Sequence, residues 1–164
     1  MAEVLDYLKD RYSEEQARFT QLEEKSAKIL GYLSVLIGVL GAALGFKDSA
    51  LLSPSSLAEW LRLAAFIIAL FCVVCSWGHS LLALKINDCP VMPRSRGAIE
   101  WMTYVEKSEW ERHLVNWYAN TIDELSFQSD RKAKNIGFCY SELTYSAWAL
   151  GIFAVIAATM ELMK

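Results

Sequence analysis

The chain is expected to be an all-α integral membrane protein with three transmembrane helices and a helical cytoplasmic layer. Two observations predict this class. Residues 29–46, 63–84 and 143–160 contain no Asp, Glu, Lys or Arg. Each run approaches the ~20 apolar residues a helix needs to cross a hydrocarbon core of about 30 Å. Charged residues nevertheless make up 21% of the chain. They lie outside those runs, so one part suits lipid and another suits water. In lipid, every backbone polar group must be paired inside the protein, and a helix does this within one segment. At 164 residues the chain has room for one domain.

Residues 1–28 are expected to form a cytoplasmic amphipathic helix. Leu5, Leu8, Tyr12, Phe19 and Leu22 fall on steps of three, four and seven, and the frame continues through Ser26 to Ile29. This makes one apolar seam, interrupted by Glu15. The seam packs within its own subunit or against another copy; the pattern fits both. Neither Pro nor Gly separates this helix from the first apolar run, so the two are expected to be continuous. Acids and bases are mixed before that run, without the pattern of a cleaved leader. The first span is therefore expected to remain in the mature protein.

Residues 29–86 are expected to hold transmembrane helices one and two. Ser34 with Gly38, and Gly41 with Gly45, make small-xxx-small pairs, which let membrane helices approach closely. Ser34, Gly38, Gly41 and Gly45 are the expected oligomer interface, although membrane helices are glycine-rich in general. Residues 47–59 read as a short loop in which Pro54, with Ser53 or Ser55 as a cap, suits a helix start. Trp60 is placed at the interface. Arg62 and Lys85 can snorkel at the two ends of the second span.

Residues 87–135 are expected to be a cytoplasmic loop and helix, and 136–164 the third transmembrane helix. Pro90, Pro93 and Gly97 mark residues 87–100 as loop. From Met102, a stripe of Val105, Trp110, Leu114, Trp117, Ile122 and Leu125 has helical period. The helix is expected to run unbroken into the third span.

Orientation follows from Lys and Arg in the short loops. Residues 1–28 hold five, 85–135 hold eight and 47–59 hold one. The N-terminus is expected inside and the C-terminus outside.

The motifs exclude most chemistry. The sequence holds no phosphate loop, no H-E-x-x-H and no G-x-S-x-G. The chain is not expected to be an enzyme, and neither a cofactor nor a metal is expected. His79 and His113 lack metal-ligand companions at helical spacing. Cys72 and Cys75 form a C-x-x-C, but in mid-span they read as small packing residues.

Two kinds of residue stand out. His79 and Glu142 are ionisable groups within apolar spans, where such groups are costly and mark functional sites. At 1.5 Å per residue they lie roughly 9 Å and 12 Å from their flanking lysines. The two can pair across helices or ring a pore mouth; the competing account leaves both solvated in the headgroup zone. Ser76, Ser80, Ser141, Thr144 and Ser146 add hydroxyls at that level. The second kind is basic. Arg94 and Arg96, with Arg131 and Lys132, are the expected site for an anionic ligand, since arginine suits phosphate. Trp101, Trp110 and Trp117 can stack on bases. For Arg131, Lys132 and Lys134 the alternative is anchoring to anionic lipid.

The polar helix leading into the first span, the second span after a short loop, and the run Asp130-Arg131-Lys132-Ala133-Lys134 feeding the last span resemble a known layout. It is similar to that of small bacterial anti-phage membrane effectors of the SLATT type, or the membrane component of Hailong-type systems. The resemblance implies an inner-membrane homo-oligomer, with a tetramer expected. It implies a pore that depolarises the infected cell. It also implies gating by a nucleotide or short nucleic acid made by a partner nucleotidyltransferase. The alternative is a non-conducting scaffold or a subunit of a larger complex. That reading gains from the absence of a polar stripe along the first span.

Overall fold

The computed structural model describes residues 2–45, 52–85, 89–92 and 95–163. Phe46, Lys47, Pro93, Arg94 and Lys164 lie outside the described residues. The described part is 91% helix and contains no strand. Its elements are α1 (Ala2–Gly45), α2 (Leu57–Lys85), α3 (Arg96–Tyr104) and α4 (Lys107–Leu162). α1, α2 and α4 are each long and apolar enough to cross a membrane.

α1 is continuous for 44 residues, as the absence of Pro and Gly at the junction predicts. Leu5, Tyr12, Phe19, Ser26, Leu33 and Leu40 recur every seven residues. All are buried except Tyr12, which is half-buried. A seven-residue repeat keeps one face turned to its neighbours along a long helix. Glu15 does not break the seam, because Arg18 pairs with its carboxylate at 3.4 Å.

The start of α2 differs from expectation. Ser56, rather than Ser53 or Ser55, caps the helix. Its hydroxyl accepts from the Glu59 amide at 3.3 Å, and the Glu59 carboxylate accepts from the Ser56 amide at 3.2 Å. This reciprocal pair is a capping box, and it satisfies two end donors at once.

Two further differences concern residues 95–107. Ser95 caps α3 by accepting from the Ala98 amide at 3.2 Å, so Gly97 lies inside a helix rather than in a loop. The helix expected to run on from Met102 stops at Tyr104. Val105 is extended, with φ −96° and ψ 151°, and the Glu106 carbonyl accepts from Glu109 and Trp110 to begin α4. No Pro or Gly signals this break. It lets Trp101 of α3 turn back onto His113 and Trp117 of α4, with ring centroids 4.9 Å and 6.2 Å away. Aromatic contacts of this kind contribute about 0.5–1.5 kcal/mol each beyond burial.

The chain divides into two compact units. Unit 1 contains residues 1–24 and 85–133; unit 2 contains residues 25–84 and 134–164. In unit 2, Leu33, Leu40, Phe66, Val73 and Cys139 form the buried core, with Leu36, Leu70, Leu143 and Phe153 packed around it. The α2 seam is Phe66, Ala69, Val73, Ser76, Ser80 and Ala83, buried throughout. The opposite surfaces remain apolar: Val35, Val39, Ile67, Ile68, Phe71, Trp148, Ile152 and Val155 are all exposed. A helical unit apolar on its outside as well as its inside has the surface of a lipid-embedded protein.

In unit 1, Leu5, Phe19 and Leu125 are buried. Tyr12 meets Tyr118 edge-on at 5.8 Å, and its hydroxyl reaches the Pro90 carbonyl at 3.5 Å. Arg18 donates to Asp130 at 2.6 Å, and this bond holds the guanidinium above its ordinary pKa.

Candidate functional sites

His79 and Glu142 meet within unit 2. His79 follows the buried Ser76 on α2 by one helical turn, and Glu142 follows Cys139 on α4 by the same interval. Ser76 and Cys139 are themselves joined, because the serine hydroxyl donates to the Cys139 carbonyl at 2.9 Å. This interhelical bond sets the register that brings the two ionisable groups together. His79 Nε2 lies 3.4 Å from Glu142 Oε1. That is a charge contact when the imidazole is protonated, but it is longer than a well-formed hydrogen bond. Phe138 covers the imidazole at 5.4 Å between ring centroids. His79 Nδ1 and Glu142 Oε2 are buried without a hydrogen-bond partner among the described residues. Each atom therefore retains capacity for water, an ion or a second copy.

The hydroxyls expected to wet this level are already occupied. Ser80 donates to the Ser26 carbonyl at 2.9 Å and Ser146 to the Ala69 carbonyl at 3.1 Å. Ser141 and Thr144 donate to Gly137 and Tyr140 on their own helix. These groups pin or decorate helices, and none of their protons is left for a conduit.

Gly31, Gly38 and Gly41 of α1 do not pack against other described residues. A Cβ added at Gly31, Gly38 or Gly41 would meet nothing within 4 Å. Ser34 is engaged instead, accepting from the Trp77 indole at 3.1 Å. Gly45 closes α1. Close helix approach within the chain falls on α2, where Ala69, Ser76, Ser80 and Ala83 are essentially without exposed surface. Their 3–4 spacing is legible in the sequence, but small residues other than glycine carried it.

The basic residues do not share one fate. Arg94 lies outside the described residues. Arg96 is exposed and pairs with Glu100 at 3.0 Å on its own helix. Arg131 is exposed, with its guanidinium 5.8 Å from the Phe127 ring. Lys132 is fully buried in unit 1; its ammonium meets Glu23 at 2.8 Å and lies 4.2 Å from the Phe19 ring centroid. A buried lysine needs such a partner to stay charged. It has no free face for a ligand. Among the described residues, no group of three His, Cys, Asp or Glu side chains could hold a metal.

Ser95, Ala98, Trp101, Glu109, His113 and Trp117 line an open cavity of about 540 Å³ in unit 1. The tryptophans and His113 were visible in the sequence as aromatic and basic surface. Their convergence depends on the turn at Val105–Glu106.

Comparison with known proteins finds no family model, no curated protein and no solved structure that matches this chain.

Proposed function

We propose that this chain is a multi-pass membrane protein that assembles with copies of itself into an ion-conducting pore, with His79 and Glu142 at its inner mouth. The observation that carries the reading is the pair itself. Two ionisable groups sit on apolar helices, held together, each with a buried atom unpaired among the described residues. Ionisable groups in membrane spans are costly and typically mark ion pathways, and a ring of carboxylates favours cations. Three spans are too few to enclose a polar conduit, so copies must associate. The open glycine face of α1 suits that contact.

The distribution of Lys and Arg supports an inside N-terminus and an outside C-terminus. The resemblance of layout extends the proposal to a bacterial inner-membrane effector of anti-phage defence, gated by a nucleotide or short nucleic acid. In that role Arg96 and Arg131 are exposed basic residues that could contact an anion, Arg96 in competition with Glu100, and Lys132 is withdrawn from the set by Glu23. A non-conducting scaffold is the second reading, favoured by the occupied hydroxyls of unit 2.

Reconstitution of the purified chain in liposomes decides between the two. Cation flux that falls in Glu142→Gln supports the pore. Absence of flux from a folded, assembled protein, with and without nucleotide, supports the scaffold.

A further inference from the structure

We propose that the cavity between α3 and the start of α4 is a binding site for a small organic cation of the quaternary-ammonium type. The inference is independent of whether the chain conducts.

Its lining has an unusual balance. Two indoles and one imidazole form the wall: Trp101 meets His113 nearly perpendicular, at 85°, and both lie at 53° to Trp117. The charged side chain among the lining residues is Glu109, one turn before His113 on α4. Neither Lys nor Arg is among the described residues that line the cavity. The Ser95 hydroxyl accepts from the Ala98 amide as the α3 cap, so its lone pairs are partly committed.

A ligand is selected by what such a wall can offer. Indole faces are electron-rich and attract cations, most strongly those that shed water easily. A carboxylate at the rim adds Coulomb attraction. A phosphate would meet the Glu109 carboxylate without a compensating cation among the described lining residues, which disfavours a nucleotide there. A primary ammonium needs hydrogen-bond acceptors on all its protons, and the lining supplies few. A methylated ammonium needs none, and its methyl groups pack on rings. The volume of about 540 Å³ accommodates a choline-sized group with room for water.

The chemistry has two sources: a free cation, or the headgroup of a choline lipid. The test uses the full chain in nanodiscs of phosphatidylglycerol, with tryptophan fluorescence as readout. Choline is titrated alongside 3,3-dimethylbutanol, its uncharged isostere. Choline is expected to bind at least about tenfold more tightly than the isostere, because the ring and carboxylate attractions act on charge. Glu109→Gln should lower choline affinity about tenfold, and His113→Lys, which places a fixed charge beside the rings, should abolish binding. Trp101→Leu should remove the fluorescence response. Circular dichroism identical to wild type keeps these variants informative. A Glu109-dependent response to free choline assigns a soluble cation. A Glu109-dependent response only when phosphatidylcholine replaces phosphatidylglycerol assigns a lipid headgroup. Equal affinity for choline and its isostere, or affinity unchanged in Glu109→Gln, overturns the proposal.

Discussion

Lys132 in unit 1 and Ser76 in unit 2 are both fully buried polar residues on inward faces of their helices, yet they are satisfied in opposite ways. Lys132 reaches a carboxylate, Glu23, that is itself 42% exposed, and it rests on the Phe19 ring. Ser76 reaches a main-chain carbonyl at Cys139. Ser80 and Ser146 repeat the second pattern. The contrast follows from the surroundings of each unit. Where water wets one end of an ion pair, a long charged side chain can cross an apolar seam and keep a solvated partner. Where the outside is as apolar as the inside, the fully buried polar residues are serines. Ser76, Ser80 and Ser146 are small and neutral, and they use the carbonyls that every helix carries. Interhelical bonds of that kind contribute about 0.6 kcal/mol each. Their larger effect is to fix register, which in unit 2 aligns His79 with Glu142.

The sharpest way to break this contrast is to overfill the α2 seam. Ala69→Leu or Ser76→Leu should cost about 3 kcal/mol of stability, because added methylenes have no space and Ser76 also loses its bond. Gly41→Leu, on the open face of α1, should leave unfolding of the single chain within about 0.5 kcal/mol while lowering native mass if copies meet there. Denaturation in mixed micelles measures the first effect and native mass spectrometry the second. A tolerant Ala69→Leu beside a collapsed Gly41→Leu would exchange the roles assigned to the two faces.

In unit 1 the corresponding experiment is Lys132→Ala. It should cost about 2–4 kcal/mol, since it leaves a void and strands Glu23, although exposure of that carboxylate moderates the loss. Lys132→Met, which keeps the volume without the charge, should fall within about 1 kcal/mol of wild type. If both variants are equally damaging, charge pairing rather than packing holds this seam.

Glu142→Gln tests whether the aligned pair works or merely fastens. The contact is long and partly exposed, so the stability loss should be below about 1 kcal/mol. A pore should nevertheless lose cation preference, read as a shift in reversal potential towards zero. A stability loss with reversal potential unmoved would make the pair a fastener.

The smallest effect concerns Cys89 in unit 1. Burial pushes its thiol above the ordinary value of 9.0, and Glu23 adds to the shift. The folded state thus holds the proton more tightly than the unfolded chain does. Its contribution is complete below pH 9.0 and is lost as pH rises through the folded value. Wild type should therefore lose slightly more stability than Cys89→Ala above that pH, and maleimide should label Cys89 more slowly than an unfolded thiol. Equal labelling rates would show that the site opens freely.

Charge segregation, uncharged runs near twenty residues and the absence of helix breakers across residues 28–29 and 135–136 are properties of the chain read in one dimension. From them came the all-helical class, three long apolar helices, the continuity of α1 and the neighbourhood of His79 and Glu142. Local chemistry also carried the capping box at Ser56 and Glu59 and the cap at Ser95, although Pro54 and Gly97 drew attention away from them. The rest depended on which surfaces meet. The stop at Val105 has no breaker residue and exists because α3 folds back to place Trp101 against His113 and Trp117. The close-packed small residues are alanines and serines of α2, while Gly31, Gly38 and Gly41 of α1 face open space. Lys132, one cation in a run of three, is buried because the α4 seam passes through it. Periodicity shows that a helix has a face; only tertiary packing decides what that face touches, because contact energy belongs to pairs of surfaces and not to either sequence alone.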